Sequence, residues 1–201
     1  TSPIYFVNSV PRKIEVAAWG LIPSWSKDNL RASNTINARV ESITEKPSFR
    51  SAFRSRRCLI PATGYYEWAT ELGQYKPKQP FFIYNEDNSL LPMAGIYEEW
   101  RNPETSELIT SAAIITREST GIIAPIHHRM PIMLPRDRWD QWLAPVTIAE
   151  KQVAYYLDLL ELDAPDRGLA FRPVSSAVNN ARNTGPQLAE GIELGEPETL
   201  F

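Results

Sequence analysis

The sequence contains very few of the residues that build disulfide frameworks and metal clusters: it has one cysteine, Cys58, and two histidines, His127 and His128. A lone cysteine excludes an internal disulfide and a thiolate zinc cluster, and it is typical of a reducing compartment. No apolar run reaches the roughly 18 residues of a membrane span, and the amino end lacks a signal-peptide pattern. We therefore predict a cytoplasmic protein with no metal site.

Positive charge is not in excess either, because the formal net charge is −3. This balance argues against a protein that coats duplex DNA through bulk positive charge. The charge is unevenly spread, however. Residues 1–58 contain ten lysines and arginines and four acidic residues, whereas residues 59–201 contain eleven lysines and arginines and twenty acidic residues. A basic amino-terminal third can form a nucleic-acid groove on an otherwise acidic protein, although a solvated helix face with unpaired arginines would give the same pattern.

The hydrophobic pattern is mainly that of β-strands, with helices only late in the chain. The predicted strands cover residues 3–8, 13–19, 36–41, 58–68 with a bend at Gly64, 81–84, 93–98, 111–116 and 169–174. The predicted turns include Ser9–Pro11, and late helices are predicted to start at Pro135 and at a capping box formed by Thr147 and Glu150. With 201 residues and no repeat or linker, we predict an α+β fold in a single domain over residues 1–201.

An early helix is predicted over residues 48–57. Phe49 and Phe53 are four residues apart, and the arginines Arg50, Arg54 and Arg57 recur at helical spacing. Such a helix would bury the two phenylalanines and present a stripe of arginines to solvent.

The stretch 125–134 holds both histidines beside Arg129, inside an otherwise apolar run. Histidine has an unperturbed pKa of about 6.5, so it exchanges protons near neutral pH, and an arginine two residues on could bind an anion such as phosphate. The plainer interpretation is that one of His127 and His128 is buried and hydrogen-bonded and the other is exposed.

A carboxylate between aromatic residues is the second candidate for proton transfer. Glu67 lies between Tyr66 and Trp68 in a predicted strand, and burial there would raise its pKa toward the range of a general acid or base. A glutamate on the exposed face of a strand is the alternative.

Two further stretches could contact a ligand. The alternation in residues 36–41 places Asn37 and Arg39 on one face of a strand. Trp25 falls on a loop beside basic residues, where it could stack on a base or simply plug the edge of the core.

Taken together, several ordered blocks closely resemble the SRAP family, the SOS response-associated peptidase domain. The blocks are WGLIPSW (19–25), INARVE (36–41), RRCLIPATGYYEW (56–68), PFFIY (80–84), MAGIYEEW (93–100), IHHRMP (126–131) and VSSAVNNARNTGPQL (174–188). The resemblance covers nearly the whole chain. It implies a bent, barrel-like, mainly antiparallel β-sheet with a few peripheral helices and a groove for single-stranded DNA.

The resemblance also implies an activity in DNA repair without a cofactor. Members of the family shield abasic sites in single-stranded DNA: an amino-terminal cysteine attacks the ring-opened sugar aldehyde and closes a thiazolidine, which is a DNA–protein crosslink. The positions carried over are Glu67, His127 and Asn37 for catalysis and Arg39, Arg129, Trp25 and Thr116 for DNA contacts. In this scheme Glu67 and His127 move protons and Asn37 orients the sugar, while His128 stands where relatives often have Asp. We expect the protein to be cytoplasmic and associated with the nucleoid.

One departure from the family concerns the nucleophile. The Met-Cys-Gly-Arg start of the family and the following Tyr-Asn-x-x-Pro block are absent, and Thr1 stands where relatives are a few dozen residues into the chain. Cys58 lies in a strand block where relatives also carry a buried cysteine, so we expect an inert core thiol. Three interpretations remain: the sequence begins late, the protein binds without crosslinking, or Thr1 is itself a nucleophile.

Two other functions compete with the crosslinking abasic-site sensor. A peptidase acting on other proteins could use Glu67 and His127 for amide cleavage, although in relatives the peptidase role is confined to exposing their own amino-terminal cysteine. The non-enzymatic alternative is a plain single-strand-binding domain. No feature of the sequence indicates an obligate protein partner, and we predict a monomer.

Overall fold

The structure is a computed structural model that describes residues 2–8, 11–30, 32–69 and 77–194. The chain forms two compact units, each assembled from three segments. The first contains residues 1–61, 92–117 and 131–165, and the second contains residues 62–91, 118–130 and 166–201. Mainly antiparallel strands with a few short helices confirm the predicted α+β class. In the predicted turn at Ser9–Pro11, Ser9 and Val10 lie outside the described residues.

The elements are numbered in chain order. The strands are β1 (Pro3–Asn8), β2 (Lys13–Trp19), β3 (Asn37–Arg39), β4 (Arg57–Ala62), β5 (Tyr65–Trp68), β6 (Pro80–Asn85), β7 (Leu91–Arg101), β8 (Leu108–Glu118), β9 (Arg129–Pro131) and β10 (Leu169–Pro173). The α-helices are α1 (Arg50–Ser55), α2 (Trp139–Trp142) and α3 (Val153–Asp158). Each predicted strand therefore has a counterpart, and the predicted bend at Gly64 separates β4 from β5. A Cβ atom at Gly64 would lie 2.3 Å from the Phe82 ring, so the close approach requires glycine there.

A five-stranded barrel forms the centre of the first unit. The strands follow the order β2, β1, β4, β7, β8, and β8 then pairs with β2 in parallel through Ala18 with Ser111 and Trp19 with Ala112. Strand β3 pairs with β8 in parallel outside this ring. The helices α1 to α3 contribute buried side chains to the same core, including Phe53, Trp142 and Tyr156. The barrel-like sheet expected from the resemblance is thus present.

The prediction that the early helix presents a stripe of arginines to solvent is wrong for Arg57. Helix α1 ends at Ser55, and Arg57 begins β4, where the residue is only 3% exposed. Its guanidinium donates hydrogen bonds of 2.8–3.1 Å to five backbone carbonyls, those of Phe53, Arg54, Trp142, Ala144 and Val146. The reason is that these carbonyl groups are left without helical partners where α1 and α2 end, and the planar guanidinium can bond to all of them.

The predicted capping box of Thr147 and Glu150 is also wrong. The backbone N–H of Ile148 donates to the carbonyl of Arg54 at 2.9 Å, which holds this segment extended instead of helical. The helical turn begins at Glu150, and the side chain of Gln152 accepts a hydrogen bond from the N–H of Ala149 at 2.9 Å. Helix α3 therefore starts later than predicted, and its buried Tyr156 packs in the core.

A three-stranded antiparallel sheet of order β10, β6, β5 forms the second unit. In its register Tyr65 lies opposite Ile83 and Glu67 opposite Phe81. Because side chains alternate along a strand, Tyr65 and Glu67 share the face that carries Phe81 and Ile83, both fully buried. The opposite face carries Phe82, Tyr84 and Arg172, with the guanidinium of Arg172 4.5 Å from the Tyr84 ring.

Candidate functional site

Glu67 is placed on β5, among the buried side chains of the second unit. Its strand neighbour across the sheet is the buried Phe81, and the carboxylate is only 23% exposed. Burial disfavours the charged form and raises the pKa of Glu67, while the nearby His127 partly offsets this by lowering it. The raised pKa predicted from the flanking aromatics is therefore confirmed in direction.

His127 lies in the connection between β8 and β9 and makes contact with Glu67. Its Nδ1 atom is 3.6 Å from Oε1 of Glu67. The histidine backbone is fixed, because its N–H donates to the carbonyl of Ile123 at 3.1 Å and its carbonyl accepts a hydrogen bond from the Ser119 hydroxyl. The loop thus presents the imidazole to the carboxylate.

The backbone of Arg129 determines what Nδ1 of His127 can do. Nδ1 is 3.0 Å from the Arg129 carbonyl and 3.2 Å from the Arg129 N–H. Without a proton, Nδ1 accepts the N–H, and the proton of the neutral ring then sits on Nε2. With a proton, Nδ1 donates to the carbonyl oxygen and faces the carboxylate of Glu67. Both protonation states are therefore accommodated, as a proton-transferring group requires.

His128 occupies a different environment from its neighbour. It is exposed, and its ring lies 4.4 Å from the His127 ring at an interplanar angle of 46°. The interpretation of one buried and one exposed histidine was correct only for His128. His127 is partly exposed and in contact with a carboxylate, which is the arrangement of a candidate acid–base pair.

Two residues near this pair were not singled out from the sequence. The hydroxyl oxygen of Tyr65 is buried and has no hydrogen-bond partner among the described residues. Burial, and next the charge of Glu67, raise the pKa of Tyr65, so the phenol stays protonated. Trp68 donates from its indole N–H to the side-chain oxygen of Asn179 at 2.7 Å, which attaches the turn at Ser176–Asn179 to β5. The available signal was their position beside Glu67 on the same strand.

The other predicted site residues belong to the first unit. Asn37 and Arg39 are exposed on β3 with the buried Ala38 between them, which confirms that they share a face. Arg39 lies opposite Thr116 of β8, and Thr116 is 6% exposed. Trp25 is 63% exposed, so the interpretation that it plugs the core is wrong.

Neither a metal cluster nor a membrane helix is found in the parts of the chain that the structure describes. Within residues 2–8, 11–30, 32–69 and 77–194, no three His, Cys, Asp or Glu side chains lie close enough to hold a metal ion. In the same ranges, no helix is both long and apolar enough to cross a membrane.

Known proteins resemble this chain in sequence and in structure. The family model "SOS response associated peptidase (SRAP)" matches residues 1–181. The abasic site processing protein YoqW of Bacillus subtilis is 40% identical over 172 residues, which are 86% of this chain and 74% of the relative. The chicken (Gallus gallus) abasic site processing protein HMCES is 32% identical, with 96% of this chain and 62% of the relative covered. A crystal structure of a Bacteroides thetaiotaomicron protein superimposes with a TM-score of 0.79 at 29% identity, covering 96% of this chain and 82% of that one. The sequence blocks, the barrel and these matches together show that the chain belongs to the SRAP family.

Proposed function

We propose that the protein acts on abasic sites in single-stranded DNA, with Glu67 and His127 as the proton-transferring residues. The observation that carries the proposal is the 3.6 Å contact between Oε1 of Glu67 and Nδ1 of His127, together with the burial that raises the pKa of Glu67. The names of the relatives, which are abasic site processing proteins, support the same substrate.

The chemistry of an abasic sugar needs an acid and a base. The sugar reacts as the open-chain aldehyde, and ring opening removes a proton from the C1′ hydroxyl while the ring oxygen gains one. A carboxyl group with a raised pKa and a neighbouring imidazole can perform these two transfers near neutral pH. His127 is proposed to assist ring opening and the reversal of any adduct, and Glu67 to serve the steps at the attacking amine.

The proposed product is a thiazolidine with an amino-terminal cysteine. The amine nitrogen bonds to the aldehyde carbon, and the carbonyl oxygen leaves as water after taking up two protons. The thiol sulfur then adds to the imine carbon while its proton moves to nitrogen, so no oxidant is required. An α-amine with a pKa of about 7.7–8.0 is in part unprotonated at neutral pH, which permits the first step.

The cysteine that we propose is not Cys58. That thiol is fully buried, and burial raises its pKa, so it is neither accessible nor ionised. The proposed nucleophile is therefore an amino-terminal cysteine, as the family resemblance implies, and not this core thiol.

The remaining site residues are proposed as DNA contacts. Exposed Arg39 and the guanidinium of Arg129 would bind phosphates, exposed Trp25 would stack on a base, and Asn37 would hydrogen-bond the opened sugar. Thr116 is proposed as a further contact. Phosphate contacts give affinity without base preference, which suits a protein that acts wherever a base is missing.

The test uses the full-length product of the natural gene and single-stranded DNA with one abasic site. A denaturing gel and mass spectrometry should show a covalent adduct, and changing the amino-terminal cysteine to serine should abolish it. Glu67→Gln and His127→Ala should each slow adduct formation or reversal by about 100-fold or more, as expected for loss of a general acid or base. Glu99→Gln, which removes an exposed carboxylate on β7, serves as the matched control and should have no effect.

Two results would favour the competing functions. Turnover of unrelated peptides that requires Glu67, with no DNA adduct, would identify a peptidase. Equal affinity for intact and abasic strands without any covalent product would identify a single-strand-binding protein.

A further inference from the structure

The two members of the acid–base pair are attached to the small sheet of the second unit in different ways. Glu67 belongs to β5 itself and lies opposite Phe81 of β6. His127 lies on no strand, because it is part of the connection between β8 and β9, residues 119–128, which we call the histidine loop. The distance between the two side chains therefore depends on what holds the histidine loop against the sheet.

Hydrogen bonds between its own residues make the histidine loop a compact unit. The N–H groups of Ile126 and His127 both donate to the carbonyl of Ile123, at 2.8 and 3.1 Å. The hydroxyl of Ser119 donates to the carbonyl of His127. These bonds fix the shape of the loop, but they do not by themselves fix its distance from β5.

Asp166 connects the histidine loop with the sheet. Its Oδ2 atom accepts the N–H of Ile122 at 3.1 Å. The backbone carbonyl of Asp166 accepts the N–H of Leu169, the first residue of β10, at 3.0 Å, and the carbonyl of Gly168 accepts the N–H of Glu86 at the end of β6 at 2.8 Å. The carboxylate is thus anchored on β10 and β6, and it holds the backbone of the histidine loop from there.

The residue before Ile122 shows how closely the carboxylate fits. Gly121 has a φ of +50°, and a Cβ atom at this position would overlap the carboxylate of Asp166. Glycine adopts this conformation without cost and leaves the space free. The carboxylate of Asp166 therefore packs directly against the backbone of the histidine loop.

A second attachment of the histidine loop is apolar. Ile126 is 1% exposed and packs in one cluster with Phe81 of β6. Apolar burial has no preferred direction, so it holds this point of the loop down without fixing the rotation of the loop about it. A hydrogen bond to a charged acceptor is directional and roughly twice as strong as a neutral one. Orientation of the loop is thus the part that the carboxylate can supply.

The contact between the pair is sensitive to such a rotation. Oε1 of Glu67 and Nδ1 of His127 are 3.6 Å apart, and a misplacement of about 1 Å in a reacting pair can cost up to about 100-fold in rate. On the basis of the proton-transferring role proposed above for this pair, we propose that Asp166 is a positioning residue, which orients the histidine loop and keeps His127 beside Glu67.

One consequence can be measured without DNA. Burial raises the pKa of Glu67 and the nearby His127 lowers it, so moving the imidazole away should raise the pKa of Glu67 further. Loss of the negative charge of Asp166 by itself would act in the opposite direction, because one like charge fewer favours the ionised form of Glu67. The direction of the change therefore distinguishes lost positioning from a direct effect of charge. The other titratable or charged groups around the pair, which none of the variants below changes, are those of Tyr65, His128 and Arg129.

Carbon-13 NMR of the full-length protein, labelled at the glutamate side-chain carboxyls, measures this pKa, and Glu67→Gln assigns the signal. In Asp166→Ala the pKa of Glu67 should rise. Asp166→Asn should not raise it, because the amide oxygen can still accept the N–H of Ile122. Asp163→Ala, which removes an exposed carboxylate from the same segment, is the matched control and should leave it unchanged. Gly121→Ala forces the same contact apart from the other side and should also raise it, so the test remains if Asp166→Ala does not fold.

Adduct formation with single-stranded DNA that carries one abasic site gives the second readout. Asp166→Ala should slow formation or reversal of the adduct by about tenfold or more. Asp166→Asn should restore most of the rate, and Asp163→Ala should match the wild type. Circular dichroism confirms that each variant is folded.

The outcomes separate this inference from the proposed function. An unchanged pKa of Glu67 in Asp166→Ala and Gly121→Ala, or a lowered one in both variants of Asp166, would overturn the positioning role whatever the protein does to abasic DNA. A rise in Asp166→Asn as large as in Asp166→Ala would show that the hydrogen bond to Ile122 does not orient the loop, which also overturns it. The expected rise, with no adduct formed by any variant or by the wild type, would support the positioning role and overturn the proposed function.

Discussion

The Oε1 atom of Glu67 lies 3.6 Å from Nδ1 of His127, while the same nitrogen is 3.0 Å from the carbonyl oxygen of Arg129. The imidazole therefore faces two acceptors when protonated, and it retains the N–H of Arg129 as a donor when neutral. At 3.6 Å, Oε1 of Glu67 and Nδ1 of His127 are in contact but lie beyond normal hydrogen-bond distance.

The raised pKa of Glu67 predicts a specific dependence of stability on pH. The folded state binds the Glu67 proton more tightly than the unfolded chain does, because the pKa of Glu67 is raised in the fold and is about 4.3 in the unfolded chain. The ionised carboxylate thus destabilises the fold above the raised pKa, and this cost disappears below the unfolded value. Glu67→Gln should therefore increase the free energy of unfolding at neutral pH, and the gain should shrink as pH falls through that window.

Urea denaturation over a series of pH values measures this effect. Glu99→Gln, on the exposed side of β7, is the control and should give a difference that does not change with pH. If the difference in free energy of unfolding between Glu67→Gln and the wild type were constant from acid to neutral pH, burial would not be raising the pKa of this carboxylate.

Arg57 is expected to be the arginine on which stability depends most among those that the structure describes. Replacing it with methionine removes the guanidinium donor from five backbone carbonyls, of which those of Arg54 and Ala144 also accept the N–H groups of Ile148 and Val146. The loss should lower the free energy of unfolding by about 3–5 kcal/mol. Arg50→Met, on the exposed side of α1, should change it by less than about 0.5 kcal/mol. Chemical denaturation of both variants provides the comparison, and similar losses would contradict the structural role of Arg57.

Tyr65→Phe should stabilise the protein. The change removes a buried hydroxyl that has no partner among the described residues, and relief of its desolvation should raise the free energy of unfolding by about 1 kcal/mol. Tyr5→Phe is the matched control, because Tyr5 is 61% exposed and its hydroxyl is solvated. Thermal unfolding followed by circular dichroism would show the difference, and a lower melting temperature for Tyr65→Phe would mean that the hydroxyl has a partner.

Arg39 should contribute to the salt dependence of DNA binding. If it contacts one phosphate, Arg39→Ala should reduce the slope of log affinity against log salt concentration by about 0.7, independently of base sequence. Lys151→Ala removes the same charge from the exposed turn before α3 and should leave the slope unchanged. Titrations at several salt concentrations measure both slopes, and an unaltered slope for Arg39→Ala would exclude the phosphate contact.

Local sequence patterns predicted much of the fold, because the strands and turns depend mainly on residues that are neighbours in the chain. The strand with Asn37 and Arg39 on one face follows from residues one or two positions away. The raised pKa of Glu67 was predicted in direction from its aromatic neighbours, but its cause is burial in the sheet opposite Phe81. Arg57 could not be placed in this way, because three of its five acceptors come from Trp142, Ala144 and Val146, far along the chain. The orphan hydroxyl of Tyr65 and the exposure of Trp25 also depend on distant packing. The assigned roles of the site residues, the cytoplasmic location and the monomeric state stay predictions.

The parallel pairing of β2 with β8 has a consequence for how the protein folds. Ala18 lies opposite Ser111 in the register, and the Gly20 N–H donates to the Ala112 carbonyl at 2.9 Å, so the ring of strands closes only when segments about 90 residues apart have met. Contacts of such long sequence separation slow folding, because the entropy of closing the intervening loop is lost before the pairing is gained. We expect the hairpin of β1 and β2 to form early and the closing contact to be among the last, which would make barrel closure the slow step in refolding experiments.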